Sequence, residues 1–166
     1  MTIAIYPGRF DPVTAGHLDI VNRASRLFDE IIIAVFEVPE NRTMFTTPER
    51  VAMFEDSIGE LSNVSVKSFS GLVVDYARSQ NAKAIVRGIR MNADFEYEFE
   101  MALMNRKLAP DIDVVCLMTD IQFQFVRASL LKEVARLGGD IEGLAPSNVI
   151  TQLNSRIKKD LKLTEE

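Results

Sequence analysis

Short apolar runs alternate with segments of helical spacing along the whole chain. Runs of β-branched and other apolar residues predict strands at 3–6, 30–36, 64–68, 84–86 and 113–118. Apolar positions three and four residues apart predict helices at 16–27, 48–58, 72–80, 93–108, 129–137 and 148–161. This alternation is typical of a series of βαβ units.

The second predicted strand indicates how the sheet is covered. Residues 31–36 are continuously apolar, as in a strand that is buried on both faces, so we expect a parallel sheet with helices on each side. The predicted fold class is α/β, a Rossmann-like doubly wound sandwich with a five-stranded parallel sheet. Residues 46–49, Thr-Thr-Pro-Glu, add a start signal for the second helix.

Length and composition favour one domain. The 166 residues are 47% apolar and 26% charged, close to ordinary globular usage, so one domain over 1–166 is expected, with 158–166 a solvated or frayed tail. The net charge of −5 gives no overall attraction for nucleic acid or anionic membrane. Any phosphate ligand must therefore be held by a local group of basic residues.

The chain lacks the sequence features of membrane or secreted proteins. No apolar run approaches the roughly 18 residues of a membrane span, and the first residues lack a signal peptide's charged and apolar regions. Cys116 is the only cysteine and lies in an apolar run, so we expect a buried structural thiol and no intramolecular disulfide. A cytoplasmic location is therefore predicted.

The loop after the first predicted strand combines a glycine with the only histidine of the chain. It lacks the Gly-x-Gly-x-x-Gly spacing and the Walker lysine of common nucleotide-binding loops. Gly8 lets the backbone turn closely, and Thr14, Gly16 and His17 open the following helix, where backbone N–H groups and the dipole favour an anion. The pattern indicates a phosphate-binding site. An ordinary helix histidine beside a turn glycine is an equally weighted alternative.

Basic residues follow two further strands at the edge where ligands bind in open α/β sheets. Arg87 and Arg90 directly follow the strand at 84–86 and flank Gly88, where the chain can approach a ligand. Guanidinium groups bind phosphate oxygens through paired hydrogen bonds, so this segment is a second candidate phosphate site. Arg42 can reach the same crevice. Solvated surface arginines are the alternative reading.

Acidic residues open the helix predicted at 93–108. Most of the carboxylates of Asp94, Glu96 and Glu98 are expected to be solvated, while one near the crevice is a candidate partner for a ribose or a magnesium ion. No carboxylate group has the spacing of a dedicated metal cage. We therefore expect any metal to arrive with the nucleotide.

Several motifs in order resemble one enzyme family, and the resemblance covers nearly the whole chain. Residues 6–17 read Tyr-Pro-Gly-Arg-Phe-Asp-Pro-x-Thr-x-Gly-His, and further motifs follow at compatible spacing: Met44-Phe45-Thr46, Glu49-Arg50, Arg87-Gly-Ile-Arg90, Asp94-Phe-Glu-Tyr-Glu98, Met104-Asn105 and Leu130-Leu-Lys-Glu-Val134. The Thr-x-Gly-His element alone is typical of the wider nucleotidyltransferase superfamily. The ordered set is similar to the bacterial phosphopantetheine adenylyltransferase family.

The resemblance implies a reaction and ligands. The reaction is transfer of AMP from ATP to 4'-phosphopantetheine, with release of pyrophosphate and dephospho-coenzyme A, the penultimate step of coenzyme A synthesis. Mg²⁺ bound with ATP, a homohexamer and coenzyme A as a further ligand are also implied.

The resemblance also implies roles for individual residues, carried over by position. His17 and Arg90 are the implied catalytic residues. The implied ATP-binding residues are Gly8, Arg9, Phe10, His17, Gly88, Ile89, Arg90, Glu98, Phe123, Arg127 and Ser129. The implied phosphopantetheine-binding residues are Arg9, Asn41, Arg42, Val73 and Arg87.

Three positions depart from the family's pattern. Arg9 stands where Ser or Thr is usual, Asn41 aligns with the usual lysine and precedes Arg42, and Arg127-Ala-Ser129 replaces Ser-Ser-Ser. Our hypothesis is that the three arginines take over phosphate contacts, although the larger Arg9 side chain can instead crowd the site. Two alternatives stay open: a related nucleotidyltransferase for another phosphate acceptor, such as nicotinamide mononucleotide or glycerol phosphate, and a catalytically weak nucleotide-binding protein.

Overall fold

The predicted strands form one parallel sheet in the computed structural model, which describes residues 1–39 and 42–164. The strands are β1 (Ile3–Gly8), β2 (Glu30–Phe36), β3 (Val64–Phe69), β4 (Ala84–Ile89) and β5 (Asp113–Met118). Their spatial order is β3-β2-β1-β4-β5, and each neighbouring pair is parallel. The order reverses between β1 and β4, so the doubly wound prediction is confirmed and a ligand crevice is expected beyond their carboxyl ends.

Helices cover both faces of the sheet. They are α1 (Ala15–Ala24), α2 (Thr47–Ile58), α3 (Val73–Ser79), α4 (Asn92–Leu108), α5 (Ala128–Arg136) and α6 (Ser147–Thr164). Sequence patterning missed a short 3₁₀ helix, Ile121–Phe123. Alternate strand residues separate two cores: Ile31 and Ile33 face α1, α2, α5 and α6, whereas Ile32 faces α3. The inference that β2 is buried on both faces is therefore confirmed.

The start signal of α2 acts as its sequence predicts. The Thr46 hydroxyl accepts a hydrogen bond from the Glu49 backbone N–H at 3.4 Å, and the Glu49 carboxylate accepts one from the Thr46 N–H at 2.7 Å. Pro48 occupies the first turn, where no backbone donor is needed. This capping box fixes where α2 begins after the loop that follows β2.

The expectation that Cys116 is buried is wrong, because its thiol is exposed. β5 is an edge strand, and its side chains alternate between the two faces. Val115 and Leu117 pack against the larger core, whereas Cys116 and Met118 point to a face that is left largely uncovered at this edge. An apolar run by itself does not distinguish an edge strand from a central one.

The last helix continues through residues 158–164, and Lys158, Lys159 and Asp160 are exposed. The single-domain assignment stays a prediction. Within the described residues, no helix combines the length and the apolar character needed to cross a bilayer.

Candidate active site

A cleft of about 560 Å³ opens beyond the carboxyl ends of β1 and β4. Its walls come from the first loop (residues 9–14), the start of α1, the second loop (residues 37–46, of which 40 and 41 lie outside the described residues), the end of β4, the first half of α4 and the start of α5. Eleven predicted site residues line it: Gly8, Arg9, Phe10, His17, Arg42, Arg87, Gly88, Arg90, Glu98, Arg127 and Ser129. Tertiary structure thus brings together residues from five separate segments.

Three predicted site residues do not line this cleft, and the place of a fourth is not described. Val73 lines a neighbouring cavity, and Asn41 lies outside the described residues. Ile89 is only 3% exposed and packs beneath the cleft, while the Cβ of Phe123 lies near Gly16. Neither Ile89 nor Phe123 belongs to the cleft wall as far as the described residues define it.

His17 is held by the beginning of its own helix. Thr14 is the N-cap residue of α1, and its backbone N–H donates to Nδ1 of His17 at 3.0 Å, while its hydroxyl accepts from the His17 N–H at 3.4 Å. Because Nδ1 is an acceptor, the hydrogen-bond network assigns the proton of the neutral ring to Nε2. Burial, with a smaller contribution from the Arg90 charge, lowers the pKa of His17 from 6.5 to about 4. At neutral pH the ring is therefore an uncharged N–H donor.

An aromatic cluster packs against the imidazole of His17 and restricts its position. Phe10 adopts a left-handed backbone with φ of 51°, and its ring centroid lies 5.0 Å from that of His17, 5.3 Å from that of Tyr6 and 4.7 Å from that of Phe54. A Cβ on Gly8 would lie 2.6 Å from Cζ of Phe10. Only glycine fits at position 8 while Phe10 keeps this place, so the glycine serves packing as well as the turn.

The Arg87 guanidinium is held by an ion pair and a carbonyl. Nε and Nη2 of Arg87 donate to the two carboxylate oxygens of Glu98 at 2.6 and 2.5 Å, and Nη1 donates to the Pro7 carbonyl at 3.0 Å. These contacts engage three of its five N–H donors, so two remain for a ligand. Glu98 is 8% exposed and is therefore not among the solvated carboxylates of this helix, whereas Asp94 is partly buried and Glu96 is exposed.

Arg90 is held in a similar way by Asp94. Nε and Nη2 of Arg90 donate to the Asp94 carboxylate at 3.0 and 3.3 Å, and Nη1 donates to the Val126 carbonyl at 3.2 Å. The pair Arg90 and Asp94 therefore links the end of β4 to the segment that leads into α5. Two N–H donors of Arg90 also remain available on the cleft side.

The three arginines that depart from the family's sequence pattern have fewer hydrogen-bond partners than Arg87 and Arg90. Arg9, Arg42 and Arg127 line the cleft with exposed side chains. Arg127 donates to Sδ of Met91 at 3.6 Å, whereas the guanidinium groups of Arg9 and Arg42 make no hydrogen bond to a described residue. All three are long, exposed donors in the cleft wall.

A second cavity, of about 470 Å³, adjoins the first and is mainly apolar. The two cavities share a wall that is formed by Pro7, Gly8, Arg9, Arg87 and Glu98. The rest is lined by apolar side chains of β2, β3, α3 and α4, namely Phe36, Phe69, Leu72, Val73, Val74, Met101, Met104 and Leu108, with Tyr97 and Asn105. Such a site accepts an elongated, largely apolar group next to a phosphate.

Sequence reasoning gave no role to Asp11 and Lys132, a charged pair in the cleft wall. Asp11 accepts hydrogen bonds from the backbone N–H groups of Met44 and Phe45 at 3.0 to 3.1 Å, and Lys132 Nζ lies 2.6 Å from its carboxylate. Lys132 lies one helical turn after Ser129 on α5. This spacing places the two residues on the same face of the helix, and it could have indicated from the sequence that Lys132 lies near the cleft. Asp11 thereby joins the first loop to the second loop.

The cleft carboxylates are already paired with cations. Asp11 contacts Lys132, Asp94 contacts Arg90, and Glu98 contacts Arg87. The described residues include no cluster of three or more His, Cys, Asp or Glu side chains suited to a metal ion.

The sequence of this chain is similar to those of known enzymes with the same type of site. Residues 5–134 match the cytidylyltransferase-like family model, so fold and site define a nucleotidyltransferase. The chain is 51% identical over 160 residues to the phosphopantetheine adenylyltransferase of Levilactobacillus brevis, covering 96% of this chain and 99% of the relative. It is 51% identical over 158 residues to that of Thermomicrobium roseum, covering 93% and 95%. The chain belongs to the phosphopantetheine adenylyltransferase family.

Solved structures support the fold alone. A proposed nicotinate-nucleotide adenylyltransferase from Vibrio parahaemolyticus superposes with a TM-score of 0.70 at 18% identity, covering 95% of each chain. A bifunctional NMN adenylyltransferase/ADP ribose pyrophosphatase from Francisella tularensis gives 0.65 at 17% identity; this chain, 99% covered, spans about half (54%) of its length.

Proposed function

We propose that this chain transfers the adenylyl group of ATP to 4'-phosphopantetheine, releasing pyrophosphate and dephospho-coenzyme A. The observation that carries the proposal is the pair of cavities that meet at Gly8, Arg9, Arg87 and Glu98. One has the basic and N–H donors that a triphosphate needs, and the other suits the pantetheine arm. Arg87 lies between them, where the acceptor phosphate would sit.

The reaction needs alignment more than it needs a general base. A phosphate monoester is already ionised near neutral pH, so its oxygen can attack the α-phosphorus of ATP in line. The new P–O bond forms as the bond between the α-phosphorus and the bridging oxygen breaks, and that oxygen leaves with pyrophosphate. The protein's part is to hold both substrates and to stabilise the charge that develops.

His17 and Arg90 supply that stabilisation in our proposal. The Nε2–H of the neutral His17 ring donates to phosphate oxygens, and the two remaining N–H groups of Arg90 do the same from the other side of the cleft. The helix start at Thr14 adds backbone dipoles of the same sign. Because Thr14 and Phe10 hold the imidazole before substrate arrives, little reorganisation is needed during the reaction.

The remaining implied ligands follow from the same proposal. Gly8, Phe10, Gly88, Ile89, Glu98, Phe123 and Ser129 are assigned to the ATP side, and Val73 and Asn41 to the phosphopantetheine side. Arg9, Arg42 and Arg127 are assigned to phosphate groups, supported by their exposed guanidinium groups at the cleft mouth. Coenzyme A, which contains the pantetheine arm, is proposed as a further ligand of the second cavity.

Mg²⁺ is proposed to enter with ATP. Since the cleft carboxylates are paired with cations, the residues present fit a metal carried by triphosphate oxygens better than one held by a protein cage. The metal would offset phosphate charge.

We also propose a homohexamer in the cytoplasm. Six large apolar side chains of α4 are 45–59% exposed: Phe95, Tyr97, Phe99, Leu103, Met104 and Leu108. Phe95, Phe99 and Leu103, four residues apart, lie on the side of α4 opposite to the residues that line the second cavity, and this apolar stripe supports association with copies of the same chain. Light scattering after size-exclusion chromatography should give six chain masses, and a monomer mass would contradict the hexamer.

One assay tests the reaction. Pyrophosphate release is measured with ATP, Mg²⁺ and a panel of acceptors: 4'-phosphopantetheine, pantetheine, nicotinamide mononucleotide and glycerol 3-phosphate. We expect turnover only with 4'-phosphopantetheine, with dephospho-coenzyme A identified by mass. Preference for another acceptor would identify a different nucleotidyltransferase, and no turnover with any acceptor would indicate a binding protein.

A further inference from the structure

Arg50 is a fully buried cation directly behind the cleft, and the proposed chemistry assigns it no role. Its side chain, on α2, is 0% exposed. Nε donates to the Phe45 carbonyl at 3.1 Å, Nη1 to the carbonyls of Arg9 and Phe36 at 2.5 and 3.0 Å, and Nη2 to the Thr47 hydroxyl at 2.8 Å. All four acceptors are neutral, and Arg50 forms no ion pair with any of the described residues.

The main-chain acceptors come from two loops and from the end of a strand. Arg9 belongs to the first loop, Phe45 to the second loop, and Phe36 is the last residue of β2. One planar guanidinium therefore joins both loops to the sheet. Its fork of fixed donors suits this task, because three directions are set by one rigid group.

The backbone around Phe45 is held from several sides. Asp11 accepts from the N–H groups of Met44 and Phe45, Arg50 donates to the Phe45 carbonyl, and Arg156 of α6 donates to the Met44 carbonyl at 2.9 Å. All four polar backbone groups of these two residues are thus engaged by charged side chains. Only Arg50 also holds the carbonyl of Arg9.

We propose that Arg50 is a positioning residue of adenylyl transfer, which sets the spacing between the first loop and the second loop through the carbonyls of Arg9 and Phe45. This role rests on the proposed function. The first loop carries Arg9 and leads to Thr14 and His17, and the second loop carries Arg42. Displacement of reacting groups by about 1 Å can lower a rate about a hundredfold. The loss is therefore expected in kcat.

Burying a charged guanidinium is unfavourable for folding, which argues against a purely structural role for Arg50. Burial lowers its pKa, while the charge of Asp11 acts in the opposite direction, and the guanidinium remains charged. A methionine of similar length would fill the same space without burying a charge. Arg50→Met therefore separates the volume of the side chain from its hydrogen bonds, and Arg50→Lys retains the charge without the fork.

The experiment compares kinetics with stability in the full-length chain. Wild type, R50K, R50M and M53A are assayed for pyrophosphate release with ATP and 4'-phosphopantetheine, for the reverse reaction, and for urea unfolding. Met53 lies one turn along α2, is 0% exposed, belongs to the larger core and has no hydrogen-bonding group in its side chain that could hold a loop carbonyl. M53A is thus the matched control for lost stability.

We expect R50K and R50M to lower kcat roughly thirtyfold or more in both directions, with the KM for ATP changed less than about threefold. M53A should lose as much stability and keep kcat within about threefold. R50M with a kcat near that of wild type, or M53A with an equal loss of kcat, would overturn the proposal.

A milder pair covers the case in which the Arg50 variants fail to fold. T47V removes the hydroxyl that accepts from Nη2 and T47S retains it. We expect about a fivefold lower kcat for T47V and near-normal kcat for T47S; equal values for the two would overturn the role of Arg50. If the wild type has no activity with 4'-phosphopantetheine, the proposed function is wrong and the role of Arg50 falls with it. Normal wild-type activity with unaffected variants rejects the Arg50 role alone.

Discussion

The backbone N–H of Thr14 donates to Nδ1 of His17 at 3.0 Å, and this bond decides what the only histidine of the chain can do. It leaves the proton on Nε2, and burial together with Arg90 keeps the ring uncharged at neutral pH. His17 is thus suited to donating a hydrogen bond to phosphate.

His17→Ala should lower kcat about a hundredfold or more, with a modest loss of ATP affinity. The reason is that one preorganised donor to the transition state is worth about 3 kcal/mol. Steady-state kinetics with ATP and 4'-phosphopantetheine measure the effect. His17→Gln retains an acceptor for the Thr14 N–H and serves as the control for lost capping. A kcat near that of wild type for His17→Ala would remove His17 from the mechanism.

The stability contributed by neutral His17 should depend on pH in one direction. Its pKa is about 4 in the folded chain and 6.5 in the unfolded chain, so the unfolded chain binds more protons between these values. The contribution is therefore complete above about pH 6.5 and lost as the pH falls towards 4, by on the order of 1 to 3 kcal/mol. Urea unfolding of wild type and His17→Gln measures it. A difference between the two free energies of unfolding that does not narrow at low pH contradicts the shift.

Gly8→Ala should destabilise the chain by about 1 to 3 kcal/mol and lower activity, because the added Cβ meets the ring of Phe10. The ring has little freedom to move among Tyr6, His17 and Phe54. Phe10→Leu makes room, so the cost of Gly8→Ala should be smaller in that background by on the order of 1 kcal/mol. Additive effects in this double-mutant cycle would refute the contact.

Glu98→Ala should lower the free energy of unfolding by about 1 to 3 kcal/mol, because two N–H donors of Arg87 lose their partner in a mostly buried place. Glu96→Ala is the matched control on the same helix, since its side chain is exposed. That change is expected to stay within about 0.5 kcal/mol. Equal losses in urea unfolding would show that the ion pair contributes nothing specific.

Arg9→Ser should lower kcat/KM for 4'-phosphopantetheine about tenfold if Arg9 has taken over a phosphate contact, since a charge-assisted hydrogen bond is worth about 1.5 to 3 kcal/mol. Asn41→Lys, which restores the family's usual residue, should then change little. Kinetics of the two variants decide the matter. If both raise turnover, Arg9 crowds the site and compensation by arginine is wrong.

The candidate site was partly readable from the sequence. Because parallel strands end at the same edge of a sheet, Gly8, Arg42, Arg87 and Arg90 were expected in one crevice, and they line one cleft. Asp11 and Lys132 were given no role, since their pairing joins residues 121 positions apart. Ile89 was assigned to the site by resemblance, yet its side chain packs into the core.

The sequence by itself determined the order of strands and helices, the start of α2 and the family, because periodicity, capping residues and ordered motifs are properties of neighbouring residues. Only the tertiary structure decided that Cys116 is exposed, that Arg87 pairs with Glu98, that Arg50 is buried behind the cleft, and how Thr14 orients His17. Burial and pairing depend on which distant segments pack together, and the pattern of a single segment does not contain that information. The sequence singled out His17 as a candidate ligand of phosphate, whereas the protonation of its ring follows from the fold around it.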